Sequence, residues 1–361
     1  MNDNVKRVVW LWLWWFLCGS LAMAQGFAGL GTAAGNGFSV PQPGHVFSFP
    51  ADHGPHNDFR IEWWYVTANL KDAAGRDYGV QWTLFRSALA PGDEKGWDSP
   101  QVWMGHAAVT SAEHHYVAEK FARGGIGQAG VTASPFNAWI DDWAMTAKAE
   151  GQYGASQDAI ANVSLKARGS NFGYDLSLQA SGPLVLQGDK GYSVKSATGQ
   201  ASYYYSQPFY SVAGTLHLPT GDVAVTGKAW ADREWSSQPL SSDQTGWDWF
   251  SLHFDDGAKM MGFHLRGKGS DYTVATWIAA DGTTQLFKPG ALKLTPLKRV
   301  NVSGRDIPVE WRLDLPEKGL SITTQPLNPQ SWMPVAFAYW EGPIRFSGSQ
   351  NGVGYLEMTG Y

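Results

Sequence analysis

Charge stands beside tryptophan twice between residues 229 and 250. Asp232, Arg233 and Glu234 run into Trp235, and Asp248 lies between Trp247 and Trp249. An isolated ionised carboxylate is costly to bury, so these acids must either pair with cations or keep their protons. In the second case an acid such as Asp248, held in an apolar cavity, could protonate a substrate. Ring faces such as Trp235, Tyr65 or Trp64 would then stabilise the resulting carbocation. In the first case Asp248, Glu62, Asp232 and Glu234 pair with Arg86, Arg266 or Arg233 and simply close the structure. These residues alone leave both readings open.

Other chemistries find less support. No G-x-S-x-G elbow occurs, and the single cysteine, Cys18, falls in a segment expected to be removed, so a Ser or Cys hydrolase is disfavoured. His53 and His56 lie in a Gly-Pro loop and His114 and His115 are adjacent, spacings that match no zinc motif. The 42 glycines are spread through turns without forming a phosphate-binding loop. Neither a metal nor a cofactor is expected.

The elements that must position the acids read as strands. From His45 onward, short β-branched and aromatic runs alternate with period two between Gly, Asn and Asp breaks. No segment sustains a helical period, although short helices fit residues 136–143 and 110–121. Neighbouring side chains on a strand point to opposite faces, which divides the candidates. Glu62 goes with Trp64 and Trp63 with Tyr65; Asp232 goes with Glu234 and Arg233 with Trp235. Asp248 shares its face with Phe250, while Trp247 and Trp249 face the other way. Any aromatic cage must therefore be assembled from several strands. The stretch from Glu62 through a Gly turn to Arg86 is echoed from Trp247 through Asp255-Asp256-Gly257 to Arg266. Either two related β-domains or chance produces this echo.

Composition bounds the rest. Lys6 and Arg7, an apolar run to Cys18 and the small residues Ala22 and Ala24 make residues 1–24 a signal peptide, cleaved after Ala24, with a periplasmic or secreted product. Residues 25–44 read as a flexible leader. Losing Lys6, Arg7 and Asp3 takes 27 cationic and 32 acidic residues to 25 and 31, a net charge of −6. This acidic balance, without a basic stripe, argues against a nucleic-acid partner. The 19 tryptophans and 14 tyrosines point instead to an aromatic interior or groove for an apolar small molecule. The remaining length suits two domains, expected at 45–228 and 229–361.

Several motifs together resemble one family. They are residues 56–65 (HNDFRIEWWY), 203–208 (YYYSQP), Asp232-Arg233-Glu234-Trp235, Gly246-Trp247-Asp248-Trp249-Phe250, Tyr339-Trp340-Glu341-Gly342 and the closing residues 354–361 (GYLEMTGY). The set is similar to the AttH-like family, which includes the carotenoid 1,2-hydratases (hydroxyneurosporene synthases) and many exported proteins labelled predicted hydrolases. The resemblance implies an all-β chain of tandem lipocalin-like antiparallel barrels around a hydrophobic pocket. In the hydratase branch it implies cofactor-free addition of water to an isoprenoid double bond, with Asp248 as acid, Trp235 as an aromatic wall and Asp232 and Glu234 beside them. Glu62, Trp63, Trp64, Tyr65, Arg233, Trp247 and Trp249 would then contact substrate. The hydratases resemble Asp-His-Glu-Trp where this chain has Arg233, which stays protonated and cannot exchange a proton with substrate. A second expectation is therefore a non-catalytic lipid-binding protein, working at a membrane surface or with a membrane transporter.

Overall fold

The computed structural model describes residues 37–148, 158–238, 244–268 and 271–361. The expected signal peptide and most of the leader lie outside these residues. Apart from three single-turn 3₁₀ segments, the described elements are strands, and every strand pairing is antiparallel. The stretches where a helix seemed to fit are strands too, Phe136–Ile140 and His115–Arg123. Tertiary pairing with neighbouring strands prevails there over local propensity.

The strands form a 13-stranded and a 10-stranded sheet. In the first, Ile61–Asp72 lies between Asp77–Ala88 and Gly221–Ser236, and Ala201–Leu218 follows on the far side. Pro208, which has no N–H for the ladder, sits where the Ala201–Leu218 register shifts between Gln207 and Tyr210. The sheet curls into a nearly closed barrel: a Cβ placed on Gly105 of Gln101–Thr110 would meet Ile140 and Trp143 from the opposite wall. Trp82, Trp143, Tyr174 and Leu165 fill its interior. The second sheet is a half-barrel built on Gln244–Phe254, flanked by Lys259–Gly267 and Gly352–Met358, with Tyr339–Gly348 beyond. Phe250, Trp311, Trp340 and Leu356 form its core.

The divide between sheets falls after Ser236 and not at 228. Gly221–Ser236 pairs along its whole length with strands of the first barrel, so residues 229–236 belong there. The two units press closely together. Gly79 has no room for a side chain, because an added Cβ would lie 2.5 Å from Pro343 Cγ and 2.7 Å from the Tyr355 hydroxyl. Asn69 Nδ2 also donates to Gly354 O across the junction at 2.8 Å. Tyr65, Tyr204 and Trp230 from the first unit pack there with Trp249, Phe263 and Tyr355 from the second.

Candidate active site between the two barrels

The junction opens into a cavity of about 1240 Å³, its mouth included. Strand parity decides what reaches it. Trp63 and Tyr65 line one side opposite Glu234 and Asp232, their ladder partners. Trp247 and Trp249 line the other, with Glu357 lying opposite Trp249 on the neighbouring strand. Phe85, Phe263, Leu265 and Phe337 complete the apolar wall.

Three carboxyls at or behind this wall hold protons unusually well. Burial, with Glu234 nearby, pushes the Glu357 carboxyl up to about 7 against the pull of the Trp247 indole N–H. Glu341 stands directly across the ladder from Glu357. Like charges so placed repel. Burial, and then Glu357, drive the Glu341 carboxyl well above its ordinary value, although the Tyr65 hydroxyl donates to it. Asp232 is likewise pushed up to about 7 by burial, while Tyr204 (2.9 Å), the Trp230 indole (2.7 Å) and Ser206 donate to it. Lys195 Nζ bridges the neighbouring Glu234 at 2.7 Å, and Ser202 donates to it. That lysine also sits over the Tyr204 and Phe263 rings, at 4.8 and 4.6 Å.

The remaining expected site residues face elsewhere. Asp248 is fully buried and does not reach the cavity. It accepts from Arg266 and from the Tyr361 hydroxyl (2.8 Å), and His264 Nδ1 lies 3.1 Å from its other oxygen. Asp248, expected as the acid, thus points with Phe250 away from this cavity and is held by these three partners. Trp235 is also turned inward, stacked on His56 at 3.9 Å and 6°. Glu62, Trp64 and Arg233 share that inner face. Arg86 Nε bonds Glu62 at 2.5 Å, and Arg233 bonds it at 2.9 Å while stacking 3.7 Å from Trp64. None of these four lines this cavity; Trp64 and Arg233 face a smaller one inside the first barrel, with His53, Phe136 and Tyr205. Arg233, the departure from the hydratase motif, thus closes a structural ion cluster.

The echo between the two halves gains a physical meaning here. In each hairpin the acid, Glu62 or Asp248, is clamped by the arginine ending the returning strand. Sequence reasoning assigned no role to Glu357, Glu341, Tyr339 or Lys195. A signal did exist for the two glutamates, since each is a lone acid within an apolar run, Leu356-Glu357-Met358 and Tyr339-Trp340-Glu341-Gly342. Among the described residues, no group of three or more His, Cys, Asp and Glu is arranged to hold a metal ion.

A barrel and a half-barrel enclosing an aromatic, acid-bearing cavity define a two-unit lipocalin-like protein. The chain belongs to the AttH-like family, which it matches over residues 40–361. It is similar to an AttH protein of Nitrosomonas europaea, at 33% identity over 90% of this chain and 100% of that one, with a TM-score of 0.78. Two more distant structures share the fold. Kievitone hydratase of Nectria haematococca is 15% identical over 90% of this chain and 96% of that one, with a TM-score of 0.65. CghA, solved with Sch210972, is 14% identical over 90% and 97%, with a TM-score of 0.55. No curated protein matches the sequence.

Proposed function

We propose that the cavity catalyses acid-driven addition of water to an electron-rich double bond of an apolar, isoprenoid-type molecule. The observation that supports this reading is Glu357, a carboxyl opening on an aromatic cavity with a pKa raised to about 7. An acid of that strength is suited to give up a proton near neutral pH. Its O–H proton goes to the less substituted alkene carbon, and the π electrons form the new C–H bond. The cation left on the neighbouring carbon faces the rings of Trp63, Tyr65, Trp247 and Trp249. Water adds to that carbon and loses a proton to Asp232. Three donors satisfy the Asp232 carboxylate, which suits it to the part of base, whereas Glu357 has the single indole donor. The net change is alkene plus water to alcohol, and no other reactant is needed. The distant likeness to a protein named a hydratase is consistent with this chemistry but reflects only the shared fold.

The test is incubation of the protein with an isoprenoid bearing a terminal isopropylidene group in heavy-oxygen water, with products read by mass spectrometry. The wild type is expected to add one labelled water. Glu357→Gln should still bind the probe but lose about 10²–10⁴-fold in turnover, the usual contribution of a general acid. Equal turnover in that variant removes Glu357 from the mechanism. A probe that is bound and never altered by the wild type would favour carriage instead of catalysis.

A further inference from the structure

The cavity changes character along its length, and one rung of the first sheet displays the gradient. Tyr204, Glu234, Trp63 and Phe85 stand opposite one another on four successive strands, and all four line the cavity. Three strand spacings make this row about 14 Å long. Its far end is apolar, where Phe85 and Phe337 pack against Ile61 and Met104. The facing sheet runs the same way. Phe263, Trp249 and Glu357 lie on successive strands, so Glu357 stands two spacings, about 10 Å, from Phe263. Lys195 Nζ lies over the rings of both Tyr204 and Phe263 and therefore caps the same end of both rows.

That end is built for an oxygen atom. An ammonium group has three donors, and a Glu234 carboxylate oxygen, which also takes the Ser202 hydroxyl, stands 2.7 Å from this one. The two rings attract the charge without supplying an oxygen acceptor. A donor and an acceptor thus stand side by side at the end of an otherwise apolar trough. Their charges cancel, so the pair offers an anion no net attraction, and a carboxylate there would be repelled by Glu234. A hydroxyl uses both partners, accepting from Lys195 and donating to Glu234. The lysine is also anchored, because Gln244 Nε2 of the second unit donates to its carbonyl at 3.0 Å.

We infer that the molecule taken into the cavity is an isoprenoid alcohol, with its hydroxyl seated between Lys195 and Glu234 and its reacting double bond about 10 Å along the chain, beside Glu357. This deepens the proposed function and rests on it for the place of the double bond. The side chain of Lys195 is 21% exposed, so water partly replaces a missing hydroxyl. Discrimination should then be about tenfold, far below the roughly 10⁴–10⁵-fold of a sealed hydroxyl site.

The test is binding, read by quenching of tryptophan fluorescence, of geranylgeraniol and of the hydrocarbon with the same chain and no oxygen. The ratio of the two affinities cancels the general pull of the cavity on an apolar chain. Lys195→Met should lower that ratio about tenfold and leave the hydrocarbon's own affinity within about twofold. An unchanged ratio in the folded variant overturns the inference. So does an equal loss for both ligands, which would make the lysine only a piece of wall. Geranylgeranic acid, ionised at about pH 8, should bind the wild type more weakly than the alcohol and gain on it in Glu234→Gln. Tighter binding of the acid by the wild type would overturn the alcohol and make this end a site for anions. Binding is read without product, so failure here leaves the labelled-water assay standing. Failure of that assay with the alcohol preference intact removes hydration alone.

Discussion

The two faces of one strand pair, Ile61–Asp72 with Gly221–Ser236, handle buried carboxylates in opposite ways. On the inner face Glu62 meets Arg86 and Arg233, and these cations hold its carboxyl well below the usual range despite complete burial. On the outer face Asp232 meets hydroxyls and an indole but no cation, and burial pushes it up to about 7. The backbone is the same, so the partners make the difference. A paired acid is spent on structure, whereas an unpaired one can give up or take up a proton near neutral pH. Asp248 belongs with the first kind and Glu357 with the second, although both lie on the second sheet.

The largest effect on this contrast should come from Glu62→Gln. It strands two arginines in the interior, and breaking a buried pair typically costs about 3–5 kcal/mol. Chemical denaturation should show that loss, and a change under about 1 kcal/mol would mean the inner cluster is not the clamp described. The pH dependence has a defined sign. Glu62 is depressed when folded, so its stabilisation is present above the unfolded carboxyl pKa of about 4 and is lost as pH falls through the folded value. Asp232 and Glu357 are raised, so stability falls as pH climbs from about 4 toward 7, where the folded protein binds more protons than the unfolded chain. Glu62→Gln should flatten the acid limb only, and Glu357→Gln part of the neutral limb only.

Asp248→Asn comes next. An amide in place of the carboxylate weakens the bonds from Arg266 and Tyr361, at a cost of about 1–3 kcal/mol. The loss should be smaller than for Glu62, because Arg266 is partly exposed and water can still reach it. Turnover of the isoprenoid probe should stay within a few-fold of wild type. A loss of turnover like that of Glu357→Gln, without a fall in melting temperature, would erase the distinction between the two acids.

Much of this was legible in the chain. Alternation alone separates Trp63 and Tyr65 from Glu62 and Trp64, and Trp247 and Trp249 from Asp248, and the structure keeps every one of those divisions. The two-barrel architecture is legible only through the resemblance of the motifs to the AttH-like family, because the echo of the two hairpins by itself leaves chance open. What alternation cannot supply is which face meets which neighbour. Glu341 and Glu357 become a pair only because Tyr339–Gly348 and Gly352–Met358 align in one register. His106 joins Tyr339 across 233 residues of sequence. The motif Trp-Asp-Trp draws attention to Asp248, yet the same alternation that brings its two tryptophans to the cavity turns the acid away from it.

The finest adjustment lies in the indole that touches Glu357. Trp247 Nε1 donates to this carboxyl and is the one donor opposing burial and Glu234. A hydrogen bond of this kind favours the carboxylate, so it holds the pKa below what burial alone would impose. Trp247→Phe keeps an aromatic wall and removes only the donor. The Glu357 pKa should then rise, and the alkaline limb of the turnover profile, which follows loss of the acid's proton, should move upward by about one pH unit or less. A limb that moves downward would mean that turnover requires the Glu357 carboxylate, and the parts of acid and base would have to be exchanged with Asp232. An unmoved limb, with turnover intact, would place the working proton on the Glu341 side of the ladder.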